Sequence, residues 1–290
     1  MNFRALIELL RPANVVTAAA DVLAGYAAAG AAQPRTLPWL LASTVCLYAG
    51  GIVLNDFFDR HLDAEERPER PIPSGRITAR AAGTIGFVLL FAGIAFALCA
   101  TAAAAVIALA ISASVLLYDI WGKHQRFFGP FNMGMCRALN LLLGVAAVPA
   151  LVGSRLTLAL LPLIYIAAVT TLSRGEVRGG KRSVAAFSLT AIVFVIARMV
   201  RIGFNAYSQT AALVTLLVTA LLAWRVLPPF WRAYNEPVSM VIRKAVRAGV
   251  LSLVLLDAAI AASYSNPLFC LIILTIAVVA ALLARLFAVT

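Results

Sequence analysis

Leu47-Tyr48-Ala49-Gly50-Gly51-Ile52-Val53-Leu54-Asn55-Asp56-Phe57-Phe58-Asp59-Arg60-His61-Leu62-Asp63 runs from an apolar segment straight into a cluster of carboxylates. Asp56, Asp59 and Asp63 stand three and four residues apart, so on a helix continuing from Leu47–Leu54 they project from one face and can share a cation. Grouped hard oxygens suit Mg²⁺, which commonly binds through one or two carboxylates and keeps its other positions for substrate phosphates. A diphosphate is the guest such a site would take. The plainer alternative is an acidic helix end neutralised by Arg60, Arg67 and Arg70. Scarcity weighs against it: the chain has only 12 acidic residues, and three of them beside Asn55 at a bilayer boundary are costly unless they have a task.

Outward from this stretch the chain is nearly all membrane. Of 290 residues 63% are hydrophobic and 12% charged, and apolar runs of about 20 residues, the length of a bilayer-spanning helix, recur throughout. That composition excludes a soluble domain and predicts one all-α membrane domain over residues 1–290. Ten spans are expected, at 13–30, 37–57, 81–100, 102–120, 130–152, 156–172, 184–205, 210–228, 247–264 and 267–288. No small-residue cleavage site follows a short apolar run at the N-terminus, so the first segment is expected to stay as a span.

Alternate connections differ in charge. The short turns at Gln33-Pro34, near Thr101, at Gly153-Ser154, near Ser208 and at Ser265-Asn266-Pro267 carry almost no cations, whereas the others hold Arg60 to Arg80, Lys123 and Arg126, Arg174 to Arg182, and Arg225 to Arg247. The positive-inside bias predicts an inner-membrane protein with both termini and the long loops in the cytoplasm. Because the net charge of +12 sits at segment ends and forms no solvated stripe, it orients the chain in lipid and does not point to nucleic acid. Cys46, Cys99, Cys136 and Cys270 each lie in an apolar segment without paired spacing, which suggests neither disulfides nor zinc.

Two loops at the cytoplasmic side bear on a site. Residues 64–79 are dense in charge and proline, so they are expected to fold back over the span ends as a shaped cap. Ser173-Arg174-Gly175-Glu176-Val177-Arg178-Gly179-Gly180-Lys181-Arg182 is either a phosphate cradle of glycine amides and cations or a basic tether with glycine helix stops.

The stretch Asn55 to Asp63 resembles the NDxxDxxxD signature of the UbiA superfamily of intramembrane prenyltransferases, and Arg70-Pro71-Ile72-Pro73-Ser74-Gly75-Arg76 is similar to that family's RPLPSG loop. Residues 66–75, Cys136-Arg137-Ala138-Leu139-Asn140 and Ser173-Arg174-Gly175-Glu176 look most like the EboC branch, UbiA-like proteins encoded in gene clusters for secondary-metabolite precursors. The resemblance implies a UbiA-type bundle of about nine to ten transmembrane helices around a central cavity. It implies that Mg²⁺ and a polyprenyl diphosphate bind at two acidic motifs, and that a small-molecule acceptor captures the prenyl group within the membrane lipid. On that basis Asp56, Asp59 and Asp63 are the expected catalytic metal ligands, Glu176 a second-motif ligand, and Asn55, Arg70, Lys123, Arg174, Arg178 and Lys181 the diphosphate contacts. Phe57, Phe58, Tyr118 and Trp121 are candidate aromatics for a dry pocket that shields an allylic cation, or else interfacial belt residues.

The chain departs from the family pattern at the second motif, usually DxxxD. Counting back from Gly180 gives Glu176 and then Leu172, so one carboxylate is absent. Either a single metal and added arginine charge still support transfer, or the protein binds or transports an isoprenoid without chemistry. Tyr118 and Lys123 are five apart where the family often has four. Inside the spans, Arg137 and Asn140 share a face and are expected to line the cavity and bind substrate, or to bond helix to helix; Arg198 and Arg201 have the same spacing. Asn14, Asp21 and Asp257 are the possible partners of those last two arginines, since an unpaired charge facing lipid costs ~2.5–3.5 kcal/mol on insertion scales.

Overall fold

The computed structural model describes residues 3–177 and 179–286; Arg178 lies outside them. Among the described residues the chain is helical throughout, with α1 Phe3–Leu10, α2 Pro12–Ala28, α3 Leu37–Phe58, α4 Arg60–Glu66, α5 Ala79–Ala100, α6 Ala102–Ile120, α7 Phe128–Val145, α8 Leu156–Ser173, α9 Arg182–Phe204, α10 Gln209–Asn235, α11 Ser239–Tyr264 and α12 Pro267–Leu286. The ten longer helices overlap the ten expected spans, although α10 runs on to Asn235 and α11 begins as early as Ser239. Seven of them (α3, α5, α6, α8, α9, α10 and α11) are long and apolar enough to cross a bilayer. The fifth span ends sooner than expected, at Val145, because Pro149 and Gly153 break the chain into two short 3₁₀ turns before α8.

Helix starts follow the capping chemistry of the polar residues between spans. Thr78, Thr101 and Ser208 each accept a hydrogen bond from the amide three residues on, that of Ala81, Ala104 or Ala211. The Thr101 hydroxyl also donates to the Ala146 carbonyl, which ties the α5–α6 turn to the end of α7.

Successive long helices pack as neighbours, and α2 closes the arrangement by touching α3, α7, α11 and α12. In lipid, apolar side chains gain little by choosing one another over acyl chains, so close backbone approach between small residues decides much of the packing. The α2–α7 contact depends on it. A Cβ on Gly25 would lie 1.9 Å from the Leu141 carbonyl oxygen, and one on Gly144 would lie 2.1 Å from the Val22 carbonyl oxygen. Outward-facing Phe91, Val106 and Trp224 are largely exposed, an apolar surface that suits lipid and would be a liability in water.

At the end of the bundle that carries the acidic stretch, α1 and the loop after α4 cover the helix ends. Ile72 and Ile77 from the loop join Ala5 and Leu9 of α1, Val53 and Ala82 in a small apolar cluster of their own. Arg76 bonds Glu8, Ser74 and the Glu69 carbonyl, and Gly75 turns in the left-handed region (φ 73°) where a side chain would be strained. The expected fold-back of 64–79 is therefore present.

Because the α2–α7 glycines meet backbone rather than yielding side chains, Gly25→Val and Gly144→Val should each destabilise the bundle by about 3 kcal/mol or more. Thermal unfolding in detergent should show both drops. Gly153→Ala, with open space around the added carbon, should leave the melting temperature unchanged.

Candidate active site

A cavity of about 370 Å³ lies between α3, α6, α7 and α8. Its walls are apolar, from Leu47, Ile52, Ile111, Val115 and Ile166, while Arg11, Asn55, Tyr118 and Asp119 stand at the end nearest the acidic stretch and Thr44, Arg137 and Asn140 lie deeper. That is the division a greasy diphosphate requires, with a polar head at the boundary and a tail in the bundle.

The expected continuous helix through the acidic stretch is interrupted. Asp59 leaves helical geometry (φ −84°, ψ 0°), although the Asp59 amide still donates to the Asn55 carbonyl at 2.9 Å and the Asp63 amide to the Asp59 carbonyl at 2.8 Å. The three carboxylates consequently divide. Arg70 Nη1 donates to Asp63 Oδ2 at 2.7 Å and to Asp56 Oδ1 at 3.3 Å, while Arg11 Nη2 donates to the same Asp56 oxygen at 2.6 Å. Asp59 turns instead to Lys123 Nζ. Asp56 and Asp63 are 3% and 4% exposed, too buried to remain charged without such partners.

Two contributors stand outside the expected set. Arg11 sits between α1 and α2 in a left-handed conformation (φ 46°, ψ 66°) that is uncommon for a residue with a side chain. Asp119 is 4% exposed and accepts from Asn55 Nδ2 at 2.9 Å through Oδ1, whereas its buried Oδ2 has no hydrogen-bond partner among the described residues. Four carboxylates thus face three cations. Among the described residues no group of three or more His, Cys, Asp or Glu side chains is gathered closely enough to hold a metal ion, with Arg70 standing between Asp56 and Asp63. The donor set nonetheless suits Mg²⁺: every donor is a hard oxygen, and one of them is buried and unused.

The described residues of the 173–182 turn serve packing. The amides of Gly175, Gly179 and Gly180 bond the carbonyls of Leu172, Gly175 and Pro237, so none is left to cradle a phosphate. Arg174 bonds the carbonyls of Lys123 and Gln125 and thereby pins the loop that carries Lys123. Lys181 is exposed and caps no group in the cavity. Glu176 lies half-buried beside Arg243; burial pushes its carboxyl above the ordinary range while the guanidinium pulls it back. Leu172 is in the core, and the Thr171 and Ser173 hydroxyls bond back to the Ala167 and Thr170 carbonyls.

Deeper in the cavity the polar residues form one network. Arg137 donates to Asp21 Oδ2 and to the Tyr48 hydroxyl, both at 2.9 Å, and Asn140 donates to Asp21 Oδ2 at 2.9 Å and to the Ala18 carbonyl at 2.8 Å while accepting from Thr44 at 2.7 Å. Lining the cavity and bonding between helices, posed as alternatives, are both true of this pair. The suggested pairing of Asp21 or Asp257 with Arg198 or Arg201 does not occur. Asp257 faces Asp21, and the two arginines line a separate cavity of about 140 Å³ with Asn205, Ser263 and Tyr264 at the far end of the bundle. Of the candidate aromatics only Tyr118 lines the main cavity, joined by Tyr48; Phe57 meets Phe58 edge to face, lies under Arg60 and packs on Gly83, and Trp121 packs on Phe128 near the surface.

Residues 15–240 match the UbiA prenyltransferase family. The chain belongs to that family. It is a multi-pass membrane prenyltransferase. Digeranylgeranylglyceryl phosphate synthase of Methanothrix thermoacetophila is 34% identical over 210 residues, 68% of this chain and 76% of that protein, and its counterpart in Sulfurisphaera tokodaii is 33% identical over 181 residues, 62% and 64%. In fold, a solved digeranylgeranylglyceryl phosphate synthase superposes with a TM-score of 0.67 over 90% of this chain and 97% of that one at 17% identity. A UbiA homologue from Archaeoglobus fulgidus bound to GPP and Mg²⁺ gives 0.64 over 88% and 99% at 14% identity. These likenesses speak for the family as a whole and do not single out the EboC branch.

In this UbiA protein the Arg137–Asp21 pair joins α7 to α2 in a low-dielectric setting. Removing one partner leaves the other charge buried, so Arg137→Met should cost ~3–5 kcal/mol. The double change Arg137→Met with Asp21→Asn should recover part of that loss. Melting temperatures of the two single variants and the double variant in detergent would measure the coupling.

Proposed function

We propose that this UbiA prenyltransferase is one catalytic domain over residues 1–290 that moves a prenyl group, with Mg²⁺, from a polyprenyl diphosphate to a small-molecule acceptor inside the membrane. The observation that supports it best is the buried Asp56–Arg70–Asp63 bridge with Arg11 beside an apolar cavity. Asp56, Asp59, Asp63 and Asn55 would hold the metal, which when bound neutralises charge growing on the departing diphosphate. We place the chain in the inner membrane with both termini cytoplasmic, because the acidic stretch and the cation-rich loops share one end of the bundle.

The chain's own residues account for the rest. Arg11, Arg70 and Lys123 already sit at the site on carboxylates; an arriving diphosphate offers them oxygens of higher charge, and their transfer to it frees the aspartates for the metal. The allylic C–O bond then breaks with both electrons leaving on the diphosphate. The acceptor's lone pair forms the new bond to carbon, and a proton is released. Apolar walls keep water from the cationic carbon, and Tyr48 and Tyr118 add aromatic surface to the cavity lining. Glu176, Arg174 and Lys181 lie outside the cavity, and Arg174 acts on the site by pinning the loop that carries Lys123. The names of the relatives support a geranylgeranyl donor and a glyceryl phosphate acceptor as the first pair to test.

Purified protein incubated with geranylgeranyl diphosphate and Mg²⁺ should release pyrophosphate when the acceptor is supplied, and Asp56→Asn or Asp63→Asn should each slow release about a hundredfold, the scale on which single charge-stabilising groups act. Saturable binding of the diphosphate with no release under any acceptor would instead identify a carrier of isoprenoids.

A further inference from the structure

We propose that Asp119 is a metal ligand, and that its carboxylate on α6 stands in for the one the second motif lacks. The inference rests on the function proposed above and extends its ligand set to a residue outside both acidic motifs. Three observations carry it. Asp119 lines the cavity while being 4% exposed, and its Oδ2 is buried with no hydrogen-bond partner among the described residues. An unsatisfied carboxylate oxygen in such a place costs free energy unless a ligand completes it.

Its surroundings are those of the first motif. Asn55 donates to Asp119 Oδ1, and Lys123, Asp59 and Asp56 all lie close enough to act on the carboxylate through space. Asp119 therefore opposes the aspartates of α3 and α4 from a different helix. The second motif is badly placed for that task, since Leu172 is packed in the core, Glu176 sits beside Arg243, and neither lines the cavity. A buried acid four residues before Lys123 supplies a carboxylate where Leu172 cannot. Cations and oxygens then alternate around the site: Arg11, Arg70 and Lys123 for the diphosphate, and carboxylates from two sides for the metal.

Mn²⁺ is the probe. Its binding to the full-length protein in detergent, with an unreactive geranylgeranyl thiolodiphosphate present, can be followed by the loss of the free-ion electron paramagnetic resonance signal. Asp119→Asn keeps an oxygen to accept from Asn55 and removes the charge, so it should weaken Mn²⁺ binding about tenfold or more with the melting temperature preserved. Unchanged affinity in Asp119→Asn together with weakened affinity in Asp56→Asn would overturn this inference and leave the proposed function standing. Unchanged affinity in both would overturn the two together. Asp119→Glu, which keeps the charge and shifts it by one methylene, gives a second reading if the first variant does not fold: the zero-field splitting of bound Mn²⁺ should change, and an unaltered spectrum counts against the assignment.

Discussion

A carboxylate at the edge of a hydrocarbon layer must be paired, and the pairing of Asp56 organises one end of this protein. Its two guanidinium partners come from opposite directions in sequence, Arg11 from the break between α1 and α2 and Arg70 from the loop after α4. Satisfying one buried acid therefore places both covering segments. Arg70 reaches on to Asp63, and the Ile72–Ile77 side of the same loop settles against Ala5 and Leu9 of α1. A cap built this way is held by the charges it covers, so whatever competes for those charges also acts on the cap.

The same physics is repeated within the bundle. Asp21 on α2 collects Arg137 and Asn140 from α7, and Asn140 collects Thr44 from α3, so three helices are fixed around the inner part of the cavity by polar groups that lipid could not solvate. Backbone contact at Gly25 and Gly144 brings α2 and α7 near enough for those bonds to close. Tight packing on the α2 side leaves the space between α3, α6, α7 and α8 open. The cavity is thus enclosed by helices whose mutual positions are set elsewhere.

Span positions were legible in the sequence because bilayer thickness and capping residues such as Thr101 and Ser208 act over a few residues. The proline-rich cap was legible for the same reason. What escaped was long-range choice of partner. Arg11 reads in sequence as one more cation at a helix start, and only its reach to Asp56, 45 residues away, makes it part of the site. Asp119 carried a signal that went unused, an acid inside an apolar span, whose default meaning is function. The glycines at 175, 179 and 180 read equally well as a cradle or as stops, and the Pro237 carbonyl, supplied from a distant loop, decides for the latter. Phe57 followed the motif in sequence but not the cavity, because it packs on Gly83 of α5.

The cations of the site also bear on how a protein with an incomplete second motif can work. In a metal-rich site, two ions would offset both the carboxylates and the diphosphate. Here Arg11, Arg70 and Lys123 already pair with Asp56, Asp63 and Asp59, and a guanidinium cannot lose its charge at any physiological pH. In the proposed reaction these side chains would turn to phosphate and supply positive charge to the diphosphate without a second metal, and the aspartates they leave behind would be the oxygens for one ion. The exchange conserves charge within a small buried volume, which keeps the cost of moving ions through low dielectric down.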